Sequence, residues 1–204
     1  MIQPLESFET KRLKARKMTE EDLPLFHLMN SNTDMMATLG GICDKIETNK
    51  RFIWNLNQWV TYGFGQCFFF DKITNEVVGR GGIRRLEIDG SEETEIAYAL
   101  LPSFWGRGLA AEIAKKCVKI GFEYYKNSSL IAGTQATNKA SQKVIIKSGF
   151  EFEKEIFQYG AKQFVYRQLN SMLLMCVFRL FGGGFVTLFF GHVLGCLKLV
   201  ENQI

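Results

Sequence analysis

The chemistry in this chain concentrates where a strand gives way to a helix. Glu95-Ile96-Ala97-Tyr98-Ala99-Leu100-Leu101 reads as a strand that stops at Pro102, because proline has no N–H to give to a sheet ladder. Trp105-Gly106-Arg107-Gly108-Leu109-Ala110 follows, and a run of helix formers begins near Leu109. Small residues at such a junction let backbone N–H groups come close to a phosphate. The new helix adds unpaired donors and the positive end of its dipole. The segment is therefore a candidate diphosphate cradle, and an ordinary flexible strand-to-helix turn is the alternative reading. A mononucleotide P-loop is excluded, since neither Gly106-Arg107-Gly108 nor Gly79-Arg80-Gly81-Gly82 ends in Gly-Lys-Ser/Thr. The second glycine run reads instead as a strand relaxed by crowding or by a bulge.

Metal chemistry finds little support. His27 and His192 lie far apart with no second ligand at helical spacing, and Cys43, Cys67, Cys117, Cys176 and Cys196 form no C-x-x-C pair. Widely spaced cysteines in odd number suit a reducing cytoplasm better than a disulfide framework. Across 204 residues, 25 Lys and Arg are scattered among 21 acids, without a long basic run, so a nucleic-acid partner is not indicated. Hydrophobic content of 47% and charged content of 23% describe a chain that folds, and the length suits one catalytic domain with a tail.

Elements to position the loop can be read on either side of it. Lys11 to Arg16 alternates charged and apolar residues as a half-buried strand does. Thr19 with the acids Glu20, Glu21 and Asp22 opens a helix whose apolar face is Leu23, Phe26, Leu28 and Met29, and a second helix is expected over roughly Thr48 to Tyr62. Cys67 to Asp71 and Glu76 to Gly79 form a hairpin around a polar turn, and Ile83 to Ile88 continues the meander. Beyond the loop come a helix over Ala110 to Tyr125, a short strand over Leu130 to Thr134, a helix over Asn138 to Lys147 stopped by Ser148-Gly149, and a closing pair over Phe152 to Phe157 and Gln163 to Leu169. Strands first, then strand–helix–strand–helix–strands, predict an α+β, mixed α/β sheet.

In order, Glu9-Thr10-Lys11-Arg12-Leu13, Pro102 to Glu112 around Trp105-Gly106-Arg107-Gly108-Leu109-Ala110, Asn138-Lys139-Ala140-Ser141 and Lys147-Ser148-Gly149-Phe150 make the chain similar to the GNAT acetyltransferases. The branch it most resembles contains the ribosomal-protein N-terminal acetyltransferases. The resemblance spans about Leu5 to Leu169. It implies the GNAT fold, a central twisted and mostly antiparallel sheet flanked by helices, with acetyl-CoA as co-substrate. It also implies that the pantetheine arm lies between the strands of Ala97 to Leu101 and Leu130 to Thr134, on backbone groups of Tyr98, Ala99 and Leu100, with a backbone N–H around Ala99 to Leu101 serving the oxyanion. Asn138 is implied as a ligand of that arm, while its own position also suits a helix cap.

An amine attacks a thioester only when neutral, and an N-terminal amine deprotonates far more readily than a lysine, so a weak base suffices. Glu95 is the candidate, with Glu93 and Glu92 as substitutes, and a solvated strand-start carboxylate is the alternative reading. Many members of the family carry a tyrosine four residues before the glycine of the Gly-Phe pair to protonate the leaving thiolate. Here Ile145 stands there, and Ser141 is the nearest replacement donor, or else a structural serine. The acceptor is expected to be a protein N-terminus, or alternatively a small amine such as a polyamine or aminoglycoside. A GNAT-like module that binds coenzyme A without catalysis is a third reading.

From Met172 to Val200 the chain turns apolar, which makes 170–204 a hydrophobic tail after a catalytic domain over 5–169. Membrane contact through 172–200, a partner-facing or folded-back helix, and an extension from an altered reading frame all fit that composition. Oligomeric state is not legible.

Overall fold

The computed structural model describes residues 4–171. Its sheet has eight strands: β1 (Ser7–Glu9), β2 (Leu13–Lys17), β3 (Gln66–Asp71), β4 (Val77–Ile88), β5 (Ser91–Leu100), β6 (Ser129–Gln135), β7 (Glu151–Gln158) and β8 (Ala161–Leu169). Their order is β1-β2-β3-β4-β5-β6-β8-β7, and every neighbouring pair is antiparallel except β5 with β6. The helices are α1 (Leu23–Asn30), α2 (Thr33–Met36), α3 (Lys45–Tyr62), α4 (Leu109–Lys119) and α5 (Lys139–Lys147). This is the mixed α/β sheet flanked by helices that the sequence predicts. The apolar tail lies outside the described residues, and no described helix is long and apolar enough to cross a membrane.

Local chemistry sets the element boundaries. Asp44 starts α3 three residues before the expected point, its carboxylate accepting the Glu47 N–H at 2.7 Å, and Gly63 ends the helix at φ 72°. Beyond Lys119 the helix widens into a π turn over Ile120–Tyr124. A Cβ on Gly121 would come within 2.8 Å of Leu130, so a bare backbone is what lets this turn press onto β6. The glycine run of β4 is explained by crowding and by a bulge together. A Cβ on Gly79 would collide with the Ala99 carbonyl, and the β3–β4 register slips between Phe69 and Phe70. β1 and α2 are too short to announce themselves by periodicity.

The main core gathers side chains from both halves of the sheet, including Leu13, Phe69, Ile113, Leu130, Ile145 and Phe150. A second core packs Met18, Phe26, Met29, Met35, Phe52 and Phe68 between α1, α2 and α3 on one side and the sheet on the other. α4 packs on β4 and β5, and α5 packs on α4 and β6. The two helices thus flank the junction between β5 and β6.

Candidate active site

That junction is held by one residue pair. β5 and β6 run parallel and pair only at Glu95 with Ile131, then diverge toward Leu100 and Gln135. β5 remains bonded to β4 along its whole length, and β6 to β8. The divergence leaves a wedge lined by backbone. Leu101 donates its N–H to the Val78 carbonyl at 3.0 Å, so strand alternation directs the peptide groups of Ala99 toward β4 and those of Tyr98 and Leu100 toward the wedge. Within Ala99 to Leu101, Leu100 is therefore the residue whose N–H faces the opening. Its carbonyl accepts the Trp105 indole N–H at 2.8 Å, which folds the tryptophan back over the strand end.

Past the strand end the chain makes one turn of 3₁₀ helix over Pro102–Phe104 and enters the glycine loop. Gly106 and Gly108 have φ of 72° and 75°, and no protein atom lies near a Cβ built on either except Arg12 Nη2 at 3.7 Å from Gly108. The glycines serve backbone conformation, and the space beside them is open. Gly108 is the N-cap of α4 and supplies no side-chain acceptor, so the first-turn N–H groups of α4 point out without a capping side chain. Arg107 stacks on Phe104 at 5.2 Å. Open space beside backbone donors, a helix dipole and a guanidinium without a carboxylate partner fits a diphosphate. The loop is pinned from the turn just before β2, because Arg12 donates to the Arg107 carbonyl and to Glu112, both at 2.8 Å. Burial opposes ionisation of Glu112, but hydrogen bonds from the Thr10 hydroxyl and the Arg12 N–H and guanidinium outweigh it and hold the carboxyl below its usual range.

Glu95 sits at the apex of the wedge, 5% exposed. One carboxylate oxygen accepts from Arg84 Nε at 2.5 Å and the other from the Gly133 N–H at 3.3 Å, so the side chain bridges the two diverging strands. Burial works against the Arg84 charge, yet Glu95 more than compensates and raises the guanidinium above its usual value. Arg84 also lies over the Trp54 ring of α3 at 5.6 Å. The two substitutes are engaged elsewhere. Glu93 is gripped by both terminal nitrogens of Arg167, and Glu92 meets Tyr62 and Arg85.

Ser141, near the start of α5, has its hydroxyl 3.0 Å from the Tyr98 hydroxyl of β5, which spans the wedge. Burial, against the pull of Ser141, pushes the Tyr98 phenol up to about 12, keeping it protonated at neutral pH. Ile145, one turn beyond Ser141 on α5, is 1% exposed within the main core and brings no proton donor. Asn138 caps α5 through its carbonyl oxygen, which accepts the Ser141 N–H at 3.0 Å, while its amide donates to Thr38 Oγ1 at 3.0 Å. Both ends of that amide already have partners.

The wedge thus gathers Glu95, Tyr98, Leu100, Ser141 and the loop from Trp105 to Ala110. Arg84 as the partner of Glu95, and Arg12 with Glu112 as the clamp on the loop, were not anticipated. These pairs join residues 11 and 100 positions apart, and periodicity carries no signal of such pairing. Among the described residues no group of His, Cys, Asp or Glu is placed to hold a metal ion, and His27 hydrogen-bonds Asn49 at 2.8 Å.

The sheet is thus split between two parallel strands, with a glycine loop and a helix N-terminus at the open end. The acetyltransferase (GNAT) domain model matches residues 12–151, and the chain belongs to that family and is an acyltransferase. It is similar to YkkB of Bacillus subtilis (31% identity over 160 residues, 78% of this chain and 93% of YkkB). Among solved structures, an acetyltransferase from Agrobacterium tumefaciens superposes with a TM-score of 0.70 at 24% identity, covering 79% of this chain and 93% of that one. RimL, a ribosomal L7/L12 α-N-protein acetyltransferase in complex with coenzyme A, gives 0.65 at 19% identity over 80% and 98%. Spermidine N-acetyltransferase of Vibrio cholerae, in complex with CoA and spermine, gives 0.63 at 16% over 80% and 98%. At such identities these structures show the shared fold.

Proposed function

We propose that the protein moves the acetyl group of acetyl-CoA to a primary amine, first of all a protein N-terminus, by direct attack in a ternary complex in the cytoplasm. A small-amine acceptor is the second reading, since structural neighbours include both a protein and a polyamine acetyltransferase. The observation that carries the proposal is the wedge that opens past Glu95–Ile131 and ends at the uncapped N-terminus of α4.

In this reading the N–H groups of the loop and of α4, with Arg107, hold the diphosphate. The peptide groups of Tyr98 hold an extended pantetheine arm as an added strand would be held, the Leu100 carbonyl being engaged by Trp105. Bound acetyl-CoA supplies an activated thioester carbonyl. The Leu100 N–H receives the negative charge that develops on the carbonyl oxygen. Glu95 accepts the amine proton, directly or through water, and Arg84 keeps the carboxylate in place. Ser141, backed by the Tyr98 hydroxyl, donates to the departing sulfur, doing from the start of α5 and from β5 what Ile145 cannot do. The Asn138 amide reaches the pantetheine arm only by exchanging its Thr38 partner.

Calorimetric titration of acetyl-CoA into the wild type and into Gly108→Trp tests the cradle. Binding by the wild type, lost in the variant while its melting temperature changes by only a few degrees, is the expected result. Absence of binding by folded wild type would remove the proposal.

A further inference from the structure

Eight arginines fall within the described residues, and six of them pair with a carboxylate. The remaining two are Arg107, in the glycine loop, and Arg80, on β4. Arg80 stands opposite Ala99 in the β4–β5 register, four residues from Arg84, which stands opposite Glu95. Residues four apart on a strand share a face, so Arg80 and Arg84 project on the side covered by α1 and α3, about 13 Å apart at the backbone. Their guanidinium groups rest on that layer. Arg80 lies 4.4 Å from the Phe26 ring centre of α1, as Arg84 does over Trp54 of α3.

Arg80 is poorly compensated there. One terminal nitrogen donates to the side-chain oxygen of Asn30 at 3.2 Å, and its Nε is buried without a hydrogen-bond partner. Burial pushes the guanidinium down to about 9, and the nearby charges, Arg84 and Arg51, are both positive and push the same way. Arg84 is balanced by Glu95, and Arg51 pairs with Glu47 one helical turn away at 3.2 Å. A half-buried guanidinium without an acidic partner, its Nε sealed from solvent and two other cations near it, is costly unless an anion joins it. A guanidinium that merely snorkels over an aromatic ring is the competing account, and it requires no ligand.

We propose that the acceptor amine carries a carboxylate close to the amine, and that Arg80 binds it with Arg51 alongside. The proposal rests on the acetyl-transfer reading of the wedge. The amine would be presented between Glu95 and Ala99 while the carboxylate lies toward α1. A peptide N-terminus with an acidic residue near its start provides such a pair of groups, and so does a free amino acid through its own carboxylate. A polyamine brings only positive charge to a face already bearing three arginines.

The test is binding of acceptors to the full-length chain saturated with CoA, followed by calorimetry, so that no turnover is required. Two matched pairs are compared: a short peptide with glutamate or glutamine at its second position, and alanine against alaninamide. Spermidine serves as the cationic control. Charge-assisted hydrogen bonds predict tighter binding of the acidic member by about tenfold to a hundredfold in at least one pair, and the pair that shows the gap identifies the source of the carboxylate. Arg80→Gln should bring that ratio close to one, and Arg80→Lys should keep part of it. If Arg80→Gln does not fold, Arg51→Gln reads the same ratio and should reduce it.

Equal or weaker binding of the acidic members, tighter binding of spermidine, or a ratio unchanged in folded Arg80→Gln would overturn the assignment. A parallel assay with acetyl-CoA separates the two readings. Acid-selective binding without acetyl transfer would sink the transferase reading alone, and transfer without charge preference would sink this one alone.

Discussion

Arg12 and Glu112 join the turn before the second strand to the first turn of α4, with Arg12 Nε 2.8 Å from the carboxylate and the Arg12 backbone N–H 2.7 Å from it. Because Arg12 also holds the Arg107 carbonyl, this pair fixes the glycine loop from outside. A carboxyl held below its usual range stabilises the fold above the unfolded pKa, and that stability disappears as pH falls through the folded value. Glu112→Gln should therefore cost about 1 kcal/mol near neutral pH, modest because the Arg12 side chain is 44% exposed. The deficit should begin to shrink as pH falls through the ordinary glutamate range of about 4 and vanish below the lower folded value. Denaturant melts of both proteins at several pH values measure it, and a constant deficit would contradict the linkage.

Glu95→Gln removes a charge from the buried bridge between β5 and β6 and leaves Arg84 uncompensated. A loss of about 2–3 kcal/mol of stability is expected from breaking an enclosed ion pair whose shape is kept. As the base, Glu95 should also contribute about a hundredfold to kcat/KM, and the variant should lose that factor. If folded Glu95→Gln keeps the wild-type rate, Glu95 serves the wedge geometry alone.

Tyr98 and Ser141 should behave as one unit in kinetics. Tyr98→Phe and Ser141→Ala are each expected to lower kcat by about tenfold to a hundredfold, and the double variant should fall little further than the worse single one. Losses that multiply would mean that the two hydroxyls act separately.

Restoring the tyrosine common in the family should harm this chain. Ile145→Tyr forces a larger side chain into a site 1% exposed, at a cost of about 1–3 kcal/mol. The variant should melt several degrees lower and leave Ser141→Ala unrescued when the two are combined. Rescue would show that α5 can turn to present the phenol.

The strand-to-helix loop was legible because its evidence is local: a proline stop, two glycines and a run of helix formers lie within about a dozen residues. The hairpin of β3 and β4, the closing pair of β7 and β8 and the span of α5 with its Ser148-Gly149 stop were legible for the same reason. Resemblance to the family supplied the wedge, which composition and periodicity do not encode. The engagement of Glu95 with Arg84 and Gly133, and of Asn138 with Thr38, stayed hidden, because each joins residues that sequence order holds far apart. The bulge opposite Gly79 was half visible, since glycine marks close approach without naming the neighbour.

The wedge between β5 and β6 is an edge in the middle of a sheet. Outer edges invite other chains to add a strand, and proteins defend them with charge, short strands or bulges. Here the defence is shape. A polypeptide entering beside Leu100 must seat alternate side chains on both faces, and one of those faces is covered by α4 and α5. A linear arm whose β-alanine and cysteamine units carry amides without side chains meets no such obstacle. The gap therefore selects by bulk before any single hydrogen bond forms, admitting slender guests and turning away the chain's own kind.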